Sequence, residues 1–199
     1  MTVDVYVKEV DEGFIEEIDE IKEESMVEIF LVHPRDESAL EEVKKTASQL
    51  NGLFYCAPLS LKESCDDKCL AYYLDQISLL DESVGTPLYV NADDLTQELQ
   101  SSLIQGGHKG IILNATKLYE ELSDFFVAIG PSNVSRFDMA VLANASMDKI
   151  VLQSAYPEHQ FDEIFQSVKV ISSALFRPEE SIIARATQHS LTLFGLKNR

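Results

Sequence analysis

Asp148-Lys-Ile-Val-Leu-Gln-Ser-Ala-Tyr-Pro157 decides how the rest of the chain is read. Ile150 to Leu152 is a short apolar run that fits a buried strand, and a polar segment followed by Tyr156-Pro157 ends it. In a barrel of parallel strands, the residues just past such a strand face the site where ligands are handled. Here they are Gln153, Ser154 and Ala155, none of them acidic.

Working back towards the start, the same kind of run recurs between helical patterns. Val3 to Val7 is β-branched and strand-like. Phe14, Ile15, Ile18 and Ile21 fall at helical spacing among acidic residues, which predicts an amphipathic helix over 12–25. Further strands are expected at Glu28 to Val32, Leu53 to Ala57, Leu70 to Leu74, Pro87 to Asn91, Gly110 to Asn114 and Phe125 to Ile129. Between them, helices are expected around Leu40 to Leu50, Ile77 to Leu80, Leu95 to Leu103, Leu118 to Leu122 and Phe137 to Leu142. After Leu152 two more helices close the chain, one through Phe161 to Leu175, the other opened by Pro178.

Alternating strands and helices with continuously apolar strands make an α/β protein with a parallel sheet covered by helices. Eight such units point to a (β/α)8 TIM barrel, small and somewhat truncated, since 199 residues sit at the lower limit of that architecture. An open doubly wound sheet is the competing arrangement. It would house five or six strands more comfortably, and no Gly-rich phosphate loop follows the first strand. No linker or repeat interrupts residues 1–199, so a single domain is expected.

The formal net charge is −18, and residues 1–42 hold 15 acidic side chains against Lys8, Lys22 and Arg35. So acidic a surface argues against unaided binding to nucleic acid or to an anionic membrane. Glu16, Glu17, Asp19, Glu20, Glu23 and Glu24 form either a solvated helix side or a docking face for a basic protein partner. Met1-Thr-Val-Asp lacks the basic and apolar parts of an export signal, which makes a cytoplasmic location the expectation. Cys56, Cys65 and Cys69 are then expected as reduced thiols, and the Cys65/Cys69 pair lacks two further ligands for zinc.

The tail Phe176-Arg-Pro-Glu-Glu-Ser-Ile-Ile-Ala-Arg-Ala-Thr-Gln-His-Ser-Leu-Thr-Leu-Phe-Gly-Leu196 carries a resemblance, as do Asp148-Lys-Ile-Val-Leu and Asp4-Val-Tyr-Val-Lys8. Together they resemble the TatD-type metal-dependent deoxyribonucleases and hydrolases, which are amidohydrolase-like barrels. The segment between residues 60 and 87 is abbreviated relative to that pattern. The resemblance implies a site for divalent metal, but its ligand positions fall on other residues. The opening His pair falls on Tyr6 and Lys8, and the two later His on Asn91 and Asn114. The Glu and Asp of the Glu-Thr-Asp motif fall on Gln153 and Ala155, and the Glu of the fourth strand on Ala71 or a neighbour. Imidazole and carboxylate ligands have thus been replaced by neutral groups and by an ammonium, which repels a dication.

Two functional readings follow. The first is a non-catalytic binding or interaction protein, a pseudoenzyme without cofactor or metal. Its mouth would be lined by Tyr6, Lys8, His33, Asn91, Asp93, Asn114 and Gln153. The second is a remodelled hydrolase of phosphodiester, ester or amide bonds, with Lys8 as stabiliser or base and Asp93 as its partner. A Ser154 nucleophile with His159 or Asp162 is geometrically conceivable, but no Gly-x-Ser-x-Gly turn supports it. His108 belongs to a helix-to-strand loop on the opposite rim, and His189, inside the last helix, is expected as a packing or surface residue.

Overall fold

A computed structural model describes residues 1–8, 12–32, 45, 54–56, 60–61, 87–144 and 147–194. Its strands are β1 (Val3–Val7), β2 (Ile29–Val32), β3 (Phe54–Cys56), β4 (Ser60–Leu61), β5 (Leu88–Asn91), β6 (Gly110–Leu113), β7 (Phe125–Ile129) and β8 (Ile150–Leu152). All the pairings among them are parallel, in the order β1-β2-β3 and β4-β5-β6-β7-β8. The helices are α1 (Glu12–Ser25), α2 (Gln97–Gln105), α3 (Met139–Asn144), α4 (Glu163–Leu175) and α5 (Glu179–Leu193).

Two expectations need correcting. The strand beside β5 on the side away from β6 is Ser60–Leu61, so that place is not taken by Leu70 to Leu74, a segment outside the described residues together with Ala71. The segment from Leu118 to Leu122 is not helical but a series of turns. One apolar pair at a spacing of four is too little to nucleate a helix. The turns instead bury Leu122 and deliver Phe125 through a Phe125 N–H bond to Leu122 O of 3.0 Å. The helix expected around Leu40 to Leu50 and the one around Ile77 to Leu80 also lie outside the described residues, Lys45 apart.

The period-two alternation of the strands sorts the core into two parts. Leu88, Val90, Ile112, Val127, Ile129, Ile150 and Leu152 pack outward against helical residues such as Leu99, Leu103, Ile164, Val168 and Ile171. Leu31, Tyr89, Ile111, Leu113, Ala128 and Val151 pack inward with Val3 and Val5. Leu191, Leu193 and Phe194, at the end of α5, join this inward cluster. The middle of α5, from Arg185 to His189, is tied to the beginnings of β1 and β8. Thr187 Oγ1 donates to Met1 O (3.3 Å), and His189 Nδ1 lies 2.8 Å from Ile150 O. Arg185 pairs with Asp148 at 2.5 Å. The base of the barrel is therefore stoppered by the last helix.

Tyr89 links the stopper to the opposite end. Its ring lies 6.4 Å from Phe194 on one side and 6.1 Å from Tyr6 on the other. Its hydroxyl donates to Val5 O at 2.6 Å with no solvent around it. Tyr89→Phe would strand that carbonyl, so a loss of about 1 to 2 kcal/mol is expected in urea denaturation.

α1 docks through aromatic edges. Phe14 meets Phe30 at 5.5 Å and 89°, and Phe161 touches Phe30 at 4.9 Å. Tyr156 stacks on Phe161 at 4.7 Å, which binds the segment after β8 to the same cluster. Glu16, Glu20, Glu23 and Glu24 remain exposed on the far side of the helix. No helix among the described residues is long and apolar enough to cross a membrane.

Candidate functional site

The strand ends opposite α5 carry the polar residues. β1 does not follow the regular ladder: its register against β2 shifts between Asp4 and Val7, a bulge within Val-Asp-Val-Tyr-Val. The bulge sets Tyr6 partly into the inward cluster and leaves Lys8 just past the strand. Burial, and then the charge of Glu158, push the Tyr6 phenol up to about 12. It therefore stays protonated across the physiological range.

The Lys8 ammonium does not pair with Asp93. It lies 2.6 Å from Glu158 and 5.8 Å from the centre of the Tyr6 ring. Its backbone N–H donates to Tyr156 O at 2.9 Å. With side-chain exposures of 33% for Lys8 and 61% for Glu158, the ion pair is solvated and worth little by itself. It fastens the segment after β8 to the end of β1.

Asn91 ends β5, where its Oδ1 accepts the Asp93 N–H at 3.1 Å and caps a short helical turn. Asp93 is exposed, and its charge helps to hold up the Tyr119 phenol, which burial raises in the first place. Asn114 follows β6 with φ 55°, the left-handed region in which Asn is among the better tolerated residues. Because Asn91 pairs in register with Leu113, the two Asn stand on neighbouring strand ends. His33 lies outside the described residues.

Gln153 turns into the wall rather than the mouth. It is 1% exposed, and its Nε2 donates to Ser132 Oγ at 3.2 Å. Its Oε1 has no hydrogen-bond partner among the described residues. Ser154 is fully buried and engaged by Asp4, while His159 Nδ1 meets Glu163 at 3.2 Å. The Ser154/His159/Asp162 arrangement is thus not assembled.

Two structural residues escaped the sequence reading. Asp4 is completely buried, and its Oδ1 accepts the N–H groups of Tyr6 and Ser154, both at 3.0 Å. Its Oδ2 takes the Ser154 hydroxyl at 2.5 Å. Burial is the main effect on the carboxyl and outweighs these hydrogen bonds, pushing it up to about 6. Asn133, also buried, donates through Nδ2 to Ala115 O and Ala128 O, both at 2.9 Å, and accepts the Gly130 N–H at 3.0 Å. A charged residue within a β-branched run was the available signal for Asp4. For Asn133 it was a polar residue shortly after the Gly130-Pro131 strand stop.

Three solved structures match this geometry over nearly the whole chain. A TatD family hydrolase from Entamoeba histolytica superposes with a TM-score of 0.72 at 10% identity, covering 98% of both chains. A TatD homolog from Escherichia coli K12 gives 0.66 at 10% identity, again covering 98% of both. The fold is that of the TatD-type barrels. A more distant likeness, with a TM-score of 0.57 at 9% identity, is to a probable 2-pyrone-4,6-dicarboxylic acid hydrolase from Acinetobacter baumannii, with 98% of this chain and 99% of that chain covered. No protein-family model matches the sequence, and no curated protein does.

The TatD-type resemblance implies divalent metal, and the donor set at the corresponding positions does not fit one. A phenol, an ammonium, three carboxamides and the methyl group of Ala155 supply neither imidazole nor carboxylate. Among the described residues no group of three or more His, Cys, Asp or Glu is placed to hold a metal ion. Among the described residues, this mouth carries hydrogen-bonding groups and the Lys8–Glu158 ion pair.

Proposed function

We propose that this chain is a TatD-like barrel whose metal chemistry has been lost and which works by binding, with another protein as its partner. The observation that carries the reading is Lys8: its ammonium pairs with Glu158, and the resemblance puts Lys8 on the second of the family's two opening ligand positions, with Tyr6 on the first. A dication brought there would have to displace this ammonium from Glu158. The exposed Glu16, Glu20, Glu23 and Glu24 of α1 supply an acidic face for a basic partner surface.

Elemental analysis of protein purified without chelators tests the first half of the proposal. The expected result is zinc, manganese and magnesium far below one equivalent, with a melting temperature unmoved by added Mn²⁺. A stoichiometric metal would overturn it. The alternative of a remodelled hydrolase using Lys8 and Asp93 is met by a screen of phosphodiester, ester and amide substrates. Turnover that is lost in Lys8→Ala would establish the enzyme and end the silent reading.

A further inference from the structure

Where β1 meets β8, the described residues show no strand ladder. The junction is built from other contacts. The Ala155 N–H donates to Tyr6 O at 3.0 Å and the Lys8 N–H to Tyr156 O at 2.9 Å. Below these two backbone bonds, the Asp4 carboxyl takes both the N–H and the hydroxyl of Ser154. Ser154 Oγ in turn accepts the Tyr156 N–H at 3.0 Å, so one buried carboxyl orders the first residues after β8. Ala155 adopts φ 66°, a costly conformation for a residue with a Cβ, within this same turn.

We propose that Asp4 is a proton-operated clasp on this seam, closed when its carboxyl is neutral and loosened when it ionises, which governs how firmly Tyr6, Lys8 and the segment 154–158 are held at the mouth. Both protonation states can form the contact. The neutral acid donates from Oδ2 to Ser154 Oγ, whereas the carboxylate accepts from it; the two N–H groups remain on Oδ1 either way. Only the ionised form carries a buried charge, and opening the seam returns that charge to water.

The titratable groups around the seam do not offer it a counter-charge. On β1 there are Tyr6 and Lys8, the latter occupied by Glu158, and beyond β8 there is His159, occupied by Glu163. From the base, Asp148 pairs with Arg185, Lys149 donates to Ser123 O, and burial above all lowers the pKa of His189, whose Nδ1 lies at Ile150 O. On the β2 side, Glu28 takes the amino group of Met1 at 3.0 Å. None of them makes an ion pair with Asp4 among the described residues.

The sign follows from a folded-state pKa that is raised to about 6 by burial. The closed seam then binds its proton more tightly than the open one. Closure is fully favoured below the ordinary carboxylate pKa and weakens as pH rises through about 6. The size of the shift corresponds to a change of about a hundredfold in the opening equilibrium.

Amide hydrogen exchange on the full chain tests this, with each rate corrected for its intrinsic pH dependence. Protection of the Ala155 and Lys8 amides is expected to fall by about thirtyfold between about pH 4.5 and 7.5, the part of the hundredfold effect that lies above the ordinary carboxylate pKa, while that of Ile112 and Val127, inside the β5–β8 ladder, stays level. Asp4→Asn keeps the shape and an acceptor for the two N–H groups without the charge, and should abolish the pH dependence at Ala155 and Lys8. A flat profile in the natural chain, or the same fall in Asp4→Asn, would overturn the clasp. Should Asp4→Asn fail to fold, carbon-detected NMR of the Asp4 carboxyl decides: its titration midpoint must coincide with the loss of protection, and separate midpoints overturn the proposal.

Discussion

Asn133→Ala is expected to lower the free energy of unfolding by about 4 kcal/mol, since it leaves three buried backbone groups without partners. The amide of Asn133 is used completely in one direction: both Nδ2 donors reach carbonyls, of Ala115 and Ala128, and Oδ1 takes the Gly130 N–H. It joins the loop after β6 to the end of β7 and the turn that follows, so three parts of the rim depend on it. No rotamer of alanine replaces any of these contacts, and the site is too buried for water to compensate without opening the structure. Asn133→Asp should be worse still, because it removes both donors and buries a charge. Urea denaturation with an unchanged slope reads the effect directly. A loss below about 1 kcal/mol would mean that Ala115 O and Ala128 O find other donors and that Asn133 is not what holds the rim.

Gly130→Ala should cost about 3 kcal/mol or more, through a clash rather than a lost bond. A Cβ built there would run into the backbone carbonyl of Gln153 and lie 2.8 Å from its Cγ. Backbone cannot swing aside as a flexible side chain can, and Gln153 is tied to β7 by its N–H bond to Ile129 O of 3.1 Å. The end of β8 would have to leave β7, carrying Ser154 away from Asp4. Gly107→Ala serves as the contrast. Its φ of 65° penalises alanine, but nothing lies within 4 Å of the added carbon, so only about 1 kcal/mol is expected. Equal losses for the two variants in urea denaturation would show that backbone conformation, not close approach, governs position 130.

The parts of the fold that could be read in advance are those governed by local periodicity. Phe14 and Ile18 face inward from α1, and Leu99 and Leu103 from α2, as their spacing predicts. Thr96 caps α2 by accepting the Leu99 N–H at 3.2 Å, and Gly106-Gly107 ends it. The strands from β5 to β8 show equally local signals. Turns take the place of the helix expected from Leu118 to Leu122, because Leu118 and Leu122 imitate only one turn of an apolar helix face. What lay beyond local reading was partnership at long range. Lys8 meets Glu158 and not Asp93, and Asp4 meets Ser154 across 150 positions. Each of these side chains had several acceptable partners in the sequence, and only the circular order of the strands chooses among them.

That same separation bears on how the chain comes to be made. β1 is synthesised before the other strands, yet the groups that satisfy Asp4 belong to residues 154–156, and the bond at Met1 O waits for Thr187. While the nascent chain is still on the ribosome, Val-Asp-Val-Tyr-Val can pair with β2 on one edge, but its other edge stays bare. Contacts closed over such distances form slowly. The half-built barrel therefore needs an unsatisfied strand edge to be shielded until residues 154–187 emerge, and Asp4, hydrated and charged throughout that interval, helps to keep the edge soluble.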